Sequence, residues 1–254
     1  MVDLIATEKR IMAKFRLGEQ YGWVMKNTLT ALIGFSMGRV VILDFLNPFS
    51  IALLCASMTS KLNPYLIGMS IIAGSLSLKN PQLLLRNIIL VSLITFIYIM
   101  IKKSRLNQKA FYSIFAPLAN LITGSLIFYI NNYYLYDMFM IIIESIMLCA
   151  LINIYDKGIN FFMDIKKRTR ISAEEVVSIL LLIMSAFLGS TVYIGILSIK
   201  NILSITIILL ASYMGNIGTG AATGTVFGLL QALSGDIYPS AIGVYGICGV
   251  LAAA

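Results

Sequence analysis

The sequence predicts an all-α fold, a polytopic transmembrane helical bundle of about eight to ten segments whose N-terminus is cytoplasmic. Apolar residues make up 59% of the 254 residues and charged residues only 12%, and the mean hydropathy is +0.92. Soluble domains usually carry about 25% charged residues, so lipid is the expected solvent for most of the chain. Two further observations favour this fold: apolar segments recur along the sequence, and basic residues concentrate between them.

The apolar segments define the predicted elements. They run over residues 24–43, 48–60, 63–78, 84–101, 111–130, 137–154, 174–197, 201–214, 217–234 and 239–254. Several are shorter than the roughly 20 residues that cross a bilayer untilted, so re-entrant hairpins are an alternative to full crossings in places. We therefore predict a cytoplasmic N-terminal segment, residues 1–23, and a multispanning membrane domain, residues 24–254.

The basic residues predict the topology. Three polar stretches, Asp3–Gln20, Lys102–Lys109 and Asp156–Arg170, hold 13 of the 19 Lys and Arg residues. Lys and Arg concentrate on the cytoplasmic side of membrane proteins. Four crossings separate the first two stretches and two more separate the last two, so all three stretches fall on one side. This parity survives if residues 48–78 form a re-entrant hairpin.

Turn and cap signals predict where helices begin. Three asparagine–proline pairs precede apolar segments, and proline suits the first turn of a helix. The pairs are Asn47-Pro48, Asn63-Pro64 and Asn80-Pro81. Farther along, Ser172 and Glu175 have the spacing of a capping box, which predicts a helix that starts near residue 173.

The sequence stops inside an apolar segment, at Val250-Leu251-Ala252-Ala253-Ala254. Helix ends at a membrane interface usually carry polar or basic residues, and none follows here. We therefore expect the natural chain to continue past Ala254, with a natural end inside the membrane as the alternative.

Glycines recur at helical spacing. Gly220, Gly224 and Gly228 lie four residues apart on one face of a predicted helix, and Gly34 and Gly38 repeat the spacing in the first segment. Small residues let membrane helices approach closely. Ordinary packing within the bundle is one interpretation, and a substrate path or a self-association face is the other.

Two ionisable residues lie within apolar segments and are candidates for a functional role. Glu144 falls inside the run Met138–Ala150, where an ionised carboxylate needs a partner. It marks an ion or proton pathway, or it fixes helix packing through a hydrogen bond, its own proton or a pair with Arg39 or Lys26. Arg39 lies inside the first segment and either extends toward the interface or pairs internally.

Other basic residues near segment ends read as interfacial anchors. These are Lys61, Lys79, Arg86 and Lys200.

Several function classes find no support. Histidine is absent, which removes the commonest general base and transition-metal ligand, and no nucleotide-binding or hydrolase motif is present. We expect no catalytic residue, cofactor or metal in this chain. Because the basic residues fit a topology signal, we expect no nucleic-acid partner. The expected partners are the lipid bilayer and another copy of the chain.

Several segments, taken in order, resemble one known family. Ile33–Leu43 with its Gly-Arg pair is followed by Asn47-Pro48-Phe49, then by Met140–Glu144, Ser172–Leu182 and Gly218–Leu229. This order resembles the N-terminal membrane region of the stage II sporulation protein E family.

The resemblance implies a context for this chain. In that family a multispanning region precedes a regulatory segment and a PP2C-like serine/threonine phosphatase domain that uses manganese or magnesium. The phosphatase dephosphorylates an anti-anti-sigma factor and so activates the first forespore sigma factor. The membrane part supports placement at the polar division septum, among cell-division and sporulation proteins. The phosphatase motifs are missing from this sequence, so no catalytic or metal residue carries over.

Two functional hypotheses follow. The first is a membrane-anchoring and septum-localisation region, as the resemblance implies. The second is a small-solute transporter or channel, with Glu144, Arg39 and the glycine-rich helices shaping a path at mid-membrane.

Overall fold

The computed structural model describes residues 25, 27–43, 46–60, 62–102, 108–130, 135–164, 173–189, 193–194, 197–235 and 238–253. This part of the chain contains ten α-helices and one pair of two-residue strands. The helices are α1 (27–38), α2 (Pro48–Thr59), α3 (Pro64–Leu76), α4 (Pro81–Ile101), α5 (Gln108–Ile130), α6 (Leu135–Asp164), α7 (Ala173–Leu188), α8 (Ile199–Met214), α9 (Ile217–Leu233) and α10 (Ala241–Ala253). The all-α prediction is confirmed, and each predicted apolar segment corresponds to one helix.

The predicted helix starts are confirmed where they are described. Helices α2, α3 and α4 each begin with proline, and the asparagine before it is the N-cap. The Asn47 side chain, for example, accepts a hydrogen bond from the Ser50 N–H at 3.3 Å, which satisfies a donor that the first turn leaves open. Helix α7 begins at Ala173, as expected, although Ser172 of the predicted capping box lies outside the described residues.

Helix α2 forms the centre of the bundle. Eleven of its 12 residues are buried, and it contacts α3, α4, α5 and α6. At a rise of about 1.5 Å per residue it extends only about 18 Å, less than the roughly 30 Å of a hydrocarbon core. Other helices, and not lipid, therefore surround this short segment.

Helix α2 runs parallel to α6. The backbone of Asn47, before α2, bonds to Glu144 on α6, and Thr59 at the other end of α2 bonds to Asp156. Both pairs are separated by 97 positions along the chain, so the two helices share one direction and one register. The topology predicted from the basic stretches also requires these two helices to be parallel. Residues 48–60 and 137–154 are the second and sixth predicted segments, and even-numbered segments cross the membrane in the same direction.

The backbone departs from the helical prediction in two places. The prediction that residues 174–197 form one helix is wrong beyond Leu188, because Tyr193–Ile194 pairs antiparallel with Leu197–Ser198. Aromatic and β-branched residues favour this extended form. Helix α6, conversely, does not stop near residue 154 but continues to Asp164.

Three helices are long and apolar enough to cross a membrane: Pro81–Ile101, Gln108–Ile127 and Leu135–Phe161. The other apolar helices of the described chain are shorter, and the number of crossings stays a prediction. Large apolar side chains such as Met69, Met100 and Ile146 lie on the outer surface. Exposed apolar faces of this extent are typical of a bundle surrounded by lipid.

Candidate functional site

Helix α6 places Glu144 inside the bundle. The residue follows three consecutive isoleucines and lies about two and a half turns into the helix. It is only 1% exposed. A carboxylate at such a position is costly unless charge and hydrogen bonds compensate it, so its neighbours determine what it can do.

Arg86 on α4 supplies the compensating charge. Its guanidinium forms an ion pair with the Glu144 carboxylate through Nη2 and Oε2. Arg86 is itself only 5% exposed. Two opposite charges in direct contact neutralise each other, which is how membrane domains usually accommodate buried ionisable residues.

Neutral groups add hydrogen bonds to the pair. Asn120 on α5 accepts from Arg86 Nη2 at 2.9 Å and donates its Nδ2 to Glu144 Oε2 at 3.2 Å. The same amide donates to Ser145 Oγ at 3.1 Å. The backbone N–H of Asn47 donates to Glu144 Oε1 at 2.8 Å. Both carboxylate oxygens are therefore bonded, and the site joins the start of α2 to α4, α5 and α6.

The predicted partner of Glu144 is corrected by this arrangement. The structure pairs Glu144 with Arg86 and not with Arg39, while Lys26 lies outside the described residues. Arg39 follows the last turn of α1, and its guanidinium carbon lies 5.9 Å from the centre of the Phe35 ring, within the range of a cation–π contact.

The reading of Arg86 as an interfacial anchor is wrong. Arg86 lies in the second turn of α4. Because it is so close to the start of its segment, the sequence suggested a position at the membrane interface. In this turn Arg86 bonds to Asn120 on α5 and pairs with Glu144 on α6, so its side chain lies in the interior. The signal that could have identified it is its own charge, because a buried Glu144 needs a cation.

A second buried acid was missed by the sequence reading. Asp156, assigned to a polar connection, lies within α6 and is buried. Its carboxylate pairs with Lys109 Nζ at 2.7 Å and accepts from Thr59 Oγ1 at 2.7 Å and from Asn160 Nδ2 at 3.2 Å. Glu144 and Asp156 thus hold the two ends of α2 against α6.

The C-terminal glycines lie where α9 and α10 cross. A Cβ added to Gly220 would lie 3.0 Å from the carbonyl carbon of Gly249, and one added to Gly224 would lie 2.8 Å from that of Tyr245. At Gly228 it would lie 2.7 Å from Ile242 Cα. The helices pair antiparallel, and their backbones touch where side chains are absent.

The N-terminal glycines lie against α3. A Cβ on Gly38 would lie 3.0 Å from Ile71 Cα, and one on Gly34 would lie 3.3 Å from Ser70 Cβ. All five glycines singled out in the sequence therefore face another helix of the same chain.

The chemistry open to the polar site is limited. Both oxygens of the Glu144 carboxylate already accept hydrogen bonds and the carboxylate is paired with Arg86, so a mobile cation would have to compete with the arginine. Within the described ranges, no three Cys, Asp or Glu residues are grouped so as to hold a metal ion. Neither Glu144 nor Arg86 lines any of three cavities among the described residues. The site is suited to fixing helices against each other.

Long apolar helices, apolar outer faces and charges paired in the interior define a helical membrane domain. The family model described as SpoIIE, N-terminal domain, matches residues 3–253, and the chain belongs to this family. The resemblance drawn from the sequence is thereby confirmed. Neither the curated proteins nor the solved structures compared with the chain give a match.

Proposed function

We propose that this domain anchors its protein in the cell membrane and supports placement at the polar division septum of a sporulating bacterium. Membership of the family supports the proposal, since the resemblance implies that role for the membrane part. In this family the phosphatase that activates the forespore sigma factor is a separate, C-terminal domain. The membrane domain then contributes position and not catalysis.

The observation that carries the proposal is that the buried charges pair with each other and bond to neighbouring helices. Glu144 is paired with Arg86 and bonded by Asn120 and Asn47. A transport site needs polar groups that release one partner and accept a solute. A pair bonded to several helices of the same chain instead fixes those helices against each other, which suits an anchor.

Localisation provides the test. A fluorescent protein fused to residues 1–254 should concentrate at the polar septum when cells begin to sporulate. The same fluorescent protein on an unrelated multi-pass membrane protein should mark the whole cell membrane evenly. An even distribution of the SpoIIE-family fusion would overturn the proposal.

Solute flux tests the competing hypothesis of a transporter. Protein reconstituted in vesicles should show no flux above empty vesicles across a broad panel of small solutes. Flux that falls on Glu144→Gln, in a variant that still reconstitutes, would favour transport over anchoring.

A further inference from the structure

We draw no further inference here: the strongest candidate, the apolar cavity between α8 and α10 that Ile205, Val244 and Tyr245 line, carries none because nothing in the described part of the chain shows what covers it.

Discussion

At the scale of single residues, the ion pair of Glu144 and Arg86 explains how a mainly apolar chain keeps two charges in its interior. Arg86 is on α4 and Glu144 on α6, and the pair also bonds to Asn120 on α5 and to the backbone that precedes α2. Desolvation makes such a pair a modest source of stability, but loss of one partner is expensive because the other charge stays buried. The pair therefore specifies one arrangement of these helices.

Single replacement of either charge should destabilise the domain. Glu144→Gln leaves the guanidinium of Arg86 buried without a counter-charge, and Arg86→Met leaves the carboxylate. Each should cost about 3–5 kcal/mol, seen as a lower thermal unfolding temperature in detergent. The double variant Glu144→Gln with Arg86→Met should recover part of that loss, because no net charge stays buried.

If the loss of stability in the double variant equalled the sum of the losses in the two single variants, the charges would not interact. A single variant as stable as the unchanged protein would show that the pair is not buried.

Sequence reasoning identified one member of this pair and misjudged the other. Glu144 stands out because it interrupts a long apolar run, and that signal is local. Arg86 lies close to the start of its helix, and a start inside the bundle cannot be told from a start at the interface by sequence alone. Depth depends on which helices surround a segment, and this is a property of the tertiary fold.

At the scale of helices, α2 and the pair α9 and α10 show two ways of packing in a membrane domain. Helix α2 is held at its ends by polar contacts with α6. Helices α9 and α10 touch through glycines along their length.

Helix positions were predictable because apolar runs and asparagine–proline starts are local signals. The extension of α6 was not, because Asp156 is paired with Lys109 and bonded to Thr59, which lie far away in sequence.

Gly224→Leu should separate α9 from α10. Its Cβ would lie 2.8 Å from the Tyr245 carbonyl carbon, whereas a Cβ on Gly243 meets nothing within 4 Å. Gly243→Leu is therefore the matched control. Overpacking usually costs about 1–3 kcal/mol, so the unfolding temperature should fall for Gly224→Leu and stay nearly unchanged for Gly243→Leu. Similar values for both variants would contradict the close crossing of these helices.

The two polar contacts of α2 should differ in strength. Asp156→Asn removes the ion pair with Lys109, but that lysine side chain is 42% exposed and can reach water. Glu144→Gln leaves its partner buried. The unfolding temperature should therefore fall less for Asp156→Asn than for Glu144→Gln under the same conditions. The opposite order would place the main polar contact of α2 at its C-terminal end.

At the scale of the whole molecule, charge is distributed by environment. The Glu144–Arg86 pair lies in the interior, and apolar side chains cover much of the outer surface. Basic residues concentrate in three stretches of the sequence. Composition alone was sufficient to predict a membrane domain, because no aqueous core could hide so much apolar surface. It was not sufficient to predict which helices cross fully, since several are too short to cross untilted and α2 is enclosed by other helices.

The most direct test of this account is the side of the membrane on which the basic stretches lie. Single cysteines introduced as Thr7→Cys, Ser104→Cys and Thr169→Cys, after replacement of the native cysteines, can be labelled with a membrane-impermeant maleimide. Asn132→Cys, between α5 and α6, is the outward control. We expect labelling of Asn132→Cys in intact cells and of the other three only after permeabilisation. Labelling of any of those three in intact cells would contradict it.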